Sequence, residues 1–87
     1  METYELTPQY DTRKSFYGNA KVKVYDEWVY LQSYNTDVCR VSNICDIEKA
    51  EVFGTYSKTT LRHIKDFLLQ HGFKAENKKQ ILKDYSI

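Results

Sequence analysis

The chain has 87 residues, 41% of them hydrophobic, and a formal net charge of +1, which fits a single globular domain, residues 1–87. The near-zero charge gives no general argument for nucleic-acid binding. No apolar run reaches membrane-spanning length and no signal peptide opens the sequence, so we expect a cytoplasmic protein with reduced cysteines and no membrane partner.

The first part of the chain has the patterns of an extended arm followed by a sheet. Residues 1–14 show no sustained period and contain Pro8, which predicts an N-terminal arm that lies on the fold or is frayed. Apolar and polar residues then alternate in a way that is typical of half-buried strands. Over the predicted sheet region, 16–56, the strands are expected at 16–25, 28–34, 37–42 and 50–56.

The region 57–87 is predicted to be helical, and its first helix, 57–73, is the clearest element in the chain. Ser57 is a suitable N-cap residue. Gly72 can adopt the left-handed conformation that ends a helix, with Phe73 then contacting the last turn in a Schellman motif. The predicted apolar stripe comprises Leu61, Ile64, Phe67 and Leu68, and the residues expected on the opposite side are Arg62, Lys65 and Asp66.

A second, shorter helix is predicted at 77–85, where Asn77 and Gln80 have the spacing of a capping box. Strands that precede helices, with short connections between the strands, indicate an α+β fold. We therefore predict a four-stranded antiparallel β-meander followed by two C-terminal helices that pack on one of its faces.

The other face of this sheet is the predicted partner-binding surface. Aromatic side chains there could contact a protein, and together with lysines they could also stack nucleic-acid bases. The alternative is that several of these tyrosines pack under the arm or simply favour strands. The predicted partner-binding residues are Lys21, Lys23, Tyr25, Trp28, Tyr30 and Tyr34, with Tyr17 on the same face.

Cys39, Cys45 and His63 raise the possibility of a structural zinc site. Five residues separate the cysteines, which is wider than the usual zinc hook, and a carboxylate such as Asp46 could complete the site. The alternative is that Cys39 is a small core residue and Cys45 a free thiol, so that no cofactor is expected. For His63, the alternative is a packed, hydrogen-bonded side chain beside the apolar stripe of the helix. For His71, an interaction with the end of the helix is the favoured interpretation.

No arrangement of residues in the sequence indicates catalysis. Neither histidine belongs to a recognisable nucleophile motif, and the three glycines are isolated, so that no phosphate-binding loop is present. We therefore expect a protein that is not an enzyme.

The segments YDTRKSFYGNAKV (10–22), LQSYNT (31–36), GTYSKTTLRHIKDFL (54–68) and GFKAENKKQILKDY (72–85) resemble small uncharacterised proteins carried by phages and mobile elements of Firmicutes. Small non-enzymatic proteins of such elements often disable a host defence machine, as anti-CRISPR proteins do. The resemblance therefore implies a protein that binds and inhibits a host defence protein, with the type II effector Cas9 as the expected partner.

The alternative function is a nucleic-acid-binding accessory or regulatory protein of the same element. Residues 57–87 carry seven Lys or Arg against three Asp or Glu, whereas residues 1–56 carry six against nine. Such a dipolar surface fits a charged protein as well as DNA. If the two helices acted as a helix-turn-helix, the side chains toward DNA would be Lys78, Lys79 and Lys83, which otherwise form a solvated face.

Overall fold

The computed structural model describes all residues, 1–87, as an antiparallel sheet followed by two helices. The sheet is a meander with the strand order β1-β2-β3-β4-β5, so the predicted α+β fold with C-terminal helices is confirmed. No helix is both long enough and apolar enough to cross a membrane. The elements are β1 (Glu2–Glu5), β2 (Ala20–Val24), β3 (Trp28–Ser33), β4 (Thr36–Ser42), β5 (Ala50–Val52), α1 (Lys58–Gln70) and α2 (Lys78–Tyr85).

The sheet has five strands and not the predicted four, because part of the N-terminal arm forms β1. This strand pairs with β2 in antiparallel register, with Thr3 opposite Lys23 and Tyr4 opposite Val22. All four of its residues are exposed. The strand therefore lacks the alternation of apolar and polar residues by which the other strands could be predicted.

Two strands are shorter than predicted. The segment before β2 is a turn in which Tyr17 and Gly18 have φ values of 55° and 75°, and the Asn19 amide donates to the Phe16 carbonyl oxygen over 3.0 Å. Phe16 is nevertheless buried, as its place in the apolar pattern predicts. At the other edge of the sheet, β5 ends at Val52.

A β-bulge in β4 explains an interruption of the apolar alternation. Cys39 is opposite Leu31, whereas Asp37 is opposite the next residue of β3, so Val38 is the extra residue. As a result, Val38 and Cys39 are both buried although they are adjacent in sequence.

The ends of α1 are formed as the sequence predicts. The Ser57 hydroxyl accepts a hydrogen bond from the Thr60 amide. The Phe73 amide donates to the Leu68 carbonyl oxygen over 2.9 Å and the Gly72 amide donates to that of Leu69 over 3.1 Å, which together make a Schellman motif. Gly72 has a φ of 82°, a conformation that glycine adopts without steric cost.

The buried side of α1 is wider than the predicted stripe. Ile64, Phe67 and Leu68 are fully buried, whereas Leu61 is only partly buried. His63 and Asp66 are also buried, and the burial of Asp66 contradicts its expected place on the polar side. Thr60 is buried as well, so three polar positions of this helix pack against other parts of the fold.

The short helix α2 begins at Asn77, whose side-chain oxygen accepts from the Gln80 amide over 2.9 Å. The Gln80 side chain accepts from the Glu76 amide, and this bond falls one residue before the one that a capping box would make. After α2, Ser86 forms a parallel bridge with Val52 and so covers the edge of β5.

A single cluster of buried apolar residues lies between the sheet and the helices. It contains Leu6, Phe16, Ala20, Val22, Val29, Leu31, Val38, Cys39, Val41, Val52, Ile64, Phe67, Leu68, Ala75 and Ile81. The helices therefore cover one face of the sheet, and the opposite face, which we call the outer face, is left without a covering element.

Candidate functional site

The outer face is organised around a row of side chains that crosses four neighbouring strands. Lys23 is paired with Tyr30, Tyr30 with Arg40, and Arg40 with Glu51. Directly paired side chains on one face lie close enough to interact. With their neighbours, the outer face includes Lys21, Lys23, Tyr25, Trp28, Tyr30, Asp37, Arg40, Lys49, Glu51 and Phe53.

Arg40 lies at the centre of the outer face. Its guanidinium carbon is 3.7 Å from the centroid of the Trp28 ring, a cation–π contact. Its Nε donates to the Glu51 carboxylate over 2.6 Å, and its Nη1 donates to the Tyr30 hydroxyl over 3.0 Å. The rings of Tyr25 and Tyr30 meet edge to face at 5.5 Å. These contacts fix the guanidinium and the surrounding rings in one arrangement.

The ion pair at the centre of the face changes the ionisation of its carboxylate. Burial acts to raise the pKa of Glu51, but the hydrogen bond from Arg40 and the charges of Arg40 and Lys49 outweigh it and hold that pKa below its usual value. Glu51 is therefore ionised at neutral pH and neutralises Arg40.

Most cations of the outer face are paired with carboxylates of the same face. The Lys23 ammonium lies 2.6 Å from the Asp37 carboxylate, and Lys49 lies 3.5 Å from Glu51. Lys21 is exposed and takes part in no ion pair. A face whose cations are already neutralised offers little attraction for a phosphate backbone.

A concave pocket of about 600 Å³ opens at one end of the outer face. Three aromatic rings and three carboxylates surround it, and of these carboxylates only Asp37 is in an ion pair. Aromatic rings combined with free carboxylates are groups that attract a cation. The pocket is lined by Tyr25, Asp26, Glu27, Trp28, Tyr30 and Asp37.

Of the six predicted partner-binding residues, the structure brings five together on the outer face, and Tyr34 lies elsewhere. Tyr34 occupies the β3–β4 turn with a φ of 56°, and its ring centroid is 5.7 Å from that of His63 on the helical side of the sheet. Tyr17 also leaves the face, because it lies in the turn before β2. In the sequence, both residues fall at outward positions of the predicted strands. In the structure, each lies in a turn outside the strand, so its side chain does not follow the alternation.

Arg40, Glu51 and Phe53 were not predicted as part of the candidate surface. Arg40 and Glu51 lie at outward positions of β4 and β5, and Phe53 directly follows β5. Arg40 was the strongest available signal because arginine is enriched in protein interfaces. Their meeting depends on the register of β4 against β3 and β5, which the sequence pattern does not determine.

The proposed zinc ligands are not assembled in the structure. Cys39 lies in β4 and is fully buried on the core side of the sheet. Cys45 is exposed in the loop after β4, where it lines a pocket with His71 and not with His63. Burial raises the pKa of the Cys39 thiol well above its usual value, which disfavours the thiolate that a metal needs. No group of three or more His, Cys, Asp or Glu side chains is placed to hold a metal ion.

His63 instead belongs to a buried polar network. Its Nδ1 lies 2.8 Å from the Ser33 hydroxyl oxygen, which is 3.1 Å from the Thr60 hydroxyl oxygen. Its ring packs edge to face on Phe16 at 4.5 Å. Ser33 and His63 are 2% and 1% exposed, so this serine–histidine pair does not present a nucleophile to solvent.

His63 should make the protein sensitive to mild acid. Burial lowers its pKa, a nearby Asp11 opposes this and Arg13 adds to it, so the unfolded chain binds a proton more readily than the folded one. Stability should therefore rise with pH up to about 6.5, and fall as pH drops below that value. Denaturant titrations of the wild type and of His63→Asn, whose amide can replace Nδ1, measure this dependence.

The asparagine variant should lose the part of the pH dependence that lies just below neutrality. His71→Asn is the matched control, because it removes the only other histidine and should retain that dependence. An unchanged pH profile in His63→Asn would show that another group titrates there.

Comparisons with known proteins give one match. Searches of curated proteins and of solved structures found no similar protein. The model of a family of unknown function, DUF8033, matches residues 4–83, which include every strand and helix at least in part. Since this match extends over nearly the whole chain, the protein belongs to DUF8033, a family of unknown function.

Proposed function

We propose that this protein is a non-enzymatic inhibitor that binds a host protein through the outer face of its sheet. The observation that carries the proposal is the ordered aromatic surface around Arg40, which no element of the fold covers. Tryptophan, tyrosine and arginine are the residues that contribute most to protein interfaces. Because the guanidinium is already held by Glu51 and Tyr30, binding would require little additional ordering of this side chain.

The charges of this surface support a protein partner over a nucleic acid. Lys23, Arg40 and Lys49 are each within ion-pair distance of a carboxylate of the same surface. The pocket at its end adds Asp26 and Glu27, which are in no ion pair. We infer that the partner inserts a lysine or arginine between these carboxylates and the rings of the pocket.

The resemblance to phage and mobile-element proteins indicates which partner to test first. It is the type II RNA-guided nuclease, Cas9, within the cytoplasm of a bacterial host. This step rests on the resemblance, and the structure contributes only the surface and its chemistry.

The proposal is tested by measuring binding to a purified, guide-loaded Cas9 and by assaying its DNA cleavage. The wild type should bind and inhibit it stoichiometrically, and the recovered nuclease should be unmodified. Trp28→Ala should weaken binding about 30-fold or more, which is the loss expected for an interface residue worth about 2 kcal/mol. Asp26→Lys combined with Glu27→Lys should weaken it as well, since both residues are exposed and the fold should tolerate the change.

Tyr10→Ala is the matched control, because Tyr10 is an exposed aromatic residue outside this face. It should bind as the wild type does. Absence of binding by the wild type would reject Cas9 as the partner. Full binding by both Trp28→Ala and the double lysine variant would reject the outer face as the binding surface. Repeated turnover of the target by each molecule would reject a non-enzymatic mechanism.

The alternative function, nucleic-acid binding, is favoured by a different surface of the molecule. That surface lies on the helical side of the fold, between α1 and α2.

A further inference from the structure

A groove between the two helices is lined by four cations. Three of them lie along one side of α1 at positions that are four and three residues apart, and the fourth is the first residue of α2. An apolar floor and the N-cap residue of α2 complete the lining. The residues of this groove, which we call the basic groove, are Lys58, Leu61, Arg62, Lys65, Asn77, Lys78 and Ile81.

The cations of the basic groove are largely free of partners within the chain. Arg62 approaches the carboxylate of Asp11 at 3.5 Å. Lys58, Lys65 and Lys78 take part in no ion pair. Asp66, the neighbour of Lys65 in the chain, is buried and accepts hydrogen bonds from the N-terminal arm. The groove therefore keeps a clear excess of positive charge, in contrast to the outer face.

Two lysines of the basic groove lie at helix N-termini, where a positive charge is unfavourable. Lys58 and Lys78 are the first residues of α1 and α2, and neither helix has an acidic residue in its first turn. The N-terminal end of a helix carries partial positive charge, so cations there destabilise the helix and anions stabilise it. Both helix ends would be relieved of this repulsion by an anion in the groove.

The spacing of the cations indicates a polyanion. Lys58 and Lys65 are seven positions apart, so the row extends about 10 Å along the axis of α1. One strand of a nucleic-acid duplex presents a phosphate about every 3.4 Å of its axis, so the row could face about three phosphates. The three glycines of the chain are isolated from one another, so no glycine-rich loop is present that could enclose a single phosphate group. The open groove instead suits a phosphodiester backbone that passes through it.

We propose that the basic groove binds the phosphodiester backbone of a nucleic acid without reading its sequence. The polar side chain among its lining residues, Asn77, is used to cap α2, and the apolar ones are Leu61 and Ile81. Apart from the four cations, no lining side chain is therefore left to read the edges of bases, and we assign the cations to phosphate contacts, which supply affinity without sequence preference. Because the groove lies on the helical side, it could be occupied while the outer face holds a protein.

Fluorescence anisotropy with a short labelled DNA duplex of arbitrary sequence, titrated at several salt concentrations, tests this site. With four phosphate contacts, the logarithm of the binding constant should fall against the logarithm of salt with a slope of about −3.6. Replacing both Lys58 and Lys78 by glutamine should reduce the slope to about −1.8 and weaken binding about tenfold at low salt. The same replacements should not lower the melting temperature, since they remove cations from helix N-termini.

The matched control replaces Lys79 and Lys83 by glutamine, which removes the same charge from exposed positions of α2 that do not line the groove. It should leave the slope close to that of the wild type. Equal effects of the two double variants would overturn the site in favour of diffuse attraction, and absence of duplex binding at low salt would overturn it outright. If polyglutamate displaced the labelled duplex as effectively as unlabelled duplex does, the ligand would be an acidic polypeptide and not a nucleic acid.

Discussion

Ile64→Ala should destabilise the protein by about 2–5 kcal/mol, the range that is typical for truncating a buried isoleucine. Ile64 is completely buried on the face of α1 that meets the sheet, in the middle of the apolar cluster. The substitution removes the transfer free energy of the lost methyl groups and leaves a cavity that a small core can only partly fill. In a domain of this size, such a loss is a large part of the total stability. Urea denaturation at neutral pH measures it.

Lys65→Ala is the matched control for this prediction. It truncates an exposed side chain at the adjacent position of the same helix, so the effect should remain within about 0.5 kcal/mol. A loss in Ile64→Ala no greater than that of the control would mean that α1 does not pack on the sheet through this side.

The helix ends are the part of the fold that local sequence determines best. Three local motifs form these ends, the N-caps at Ser57 and Asn77 and the Schellman motif at Gly72. Within each motif, the hydrogen-bonded residues are fewer than six positions apart in sequence. The chemical requirements of these motifs, a side-chain acceptor at one end and a left-handed residue at the other, leave few alternatives. The alternation in β2 and β3 is nearly as informative, because one face of the sheet is buried.

Contacts between distant parts of the chain account for what could not be predicted. The strand β1 is held by backbone hydrogen bonds to β2, and its exposed side chains carry no pattern. Periodicity places Asp66 on the polar side of α1, and the packed, hydrogen-bonded side chain expected of His63 could not be assigned a partner from the sequence. Their burial depends on partners far along the chain, the Ser33 hydroxyl for His63 and the arm for Asp66.

The candidate sites also depend on contacts between distant parts of the chain, which the sequence could not predict. Alternation correctly placed Lys23, Trp28 and Tyr30 on one face, but it could not show that Arg40 would lie over Trp28. The excess of positive charge in the helical region follows directly from the amino-acid composition of residues 57–87. Its concentration in one groove depends on how α2 lies against α1, which is a property of the packed structure.

Asp66 anchors the N-terminal arm to α1, although nothing in the local sequence marks it for this role. Its two carboxylate oxygens accept from the Gln9 amide over 2.9 Å and from the Tyr10 amide over 3.0 Å. The Gln70 side chain, one turn further along α1, donates to the same carboxylate and also to the Thr7 carbonyl oxygen. One buried carboxylate therefore ties the connection between β1 and β2 to the helix.

Asp66→Asn should destabilise the protein by about 1.5–3 kcal/mol, the usual worth of a hydrogen bond to a charged group in a buried site. The asparagine side chain has nearly the same shape but only one acceptor oxygen, so its NH₂ group must face one of the two backbone amides. Denaturant titration gives the stability, and hydrogen exchange locates the change. Exchange at Gln9 and Tyr10 should accelerate by more than that of the β3–β4 amides, because the arm can detach while the central strands remain paired.

Gln70→Ala is the matched comparison, since it removes the neighbouring donor and leaves both backbone amides bonded to the carboxylate. Its loss of stability should be smaller than that of Asp66→Asn, and exchange at Gln9 and Tyr10 should change little. If Asp66→Asn accelerated exchange uniformly over the molecule, the arm would be unfolding together with the core. The carboxylate would then stabilise the whole domain and not the arm alone.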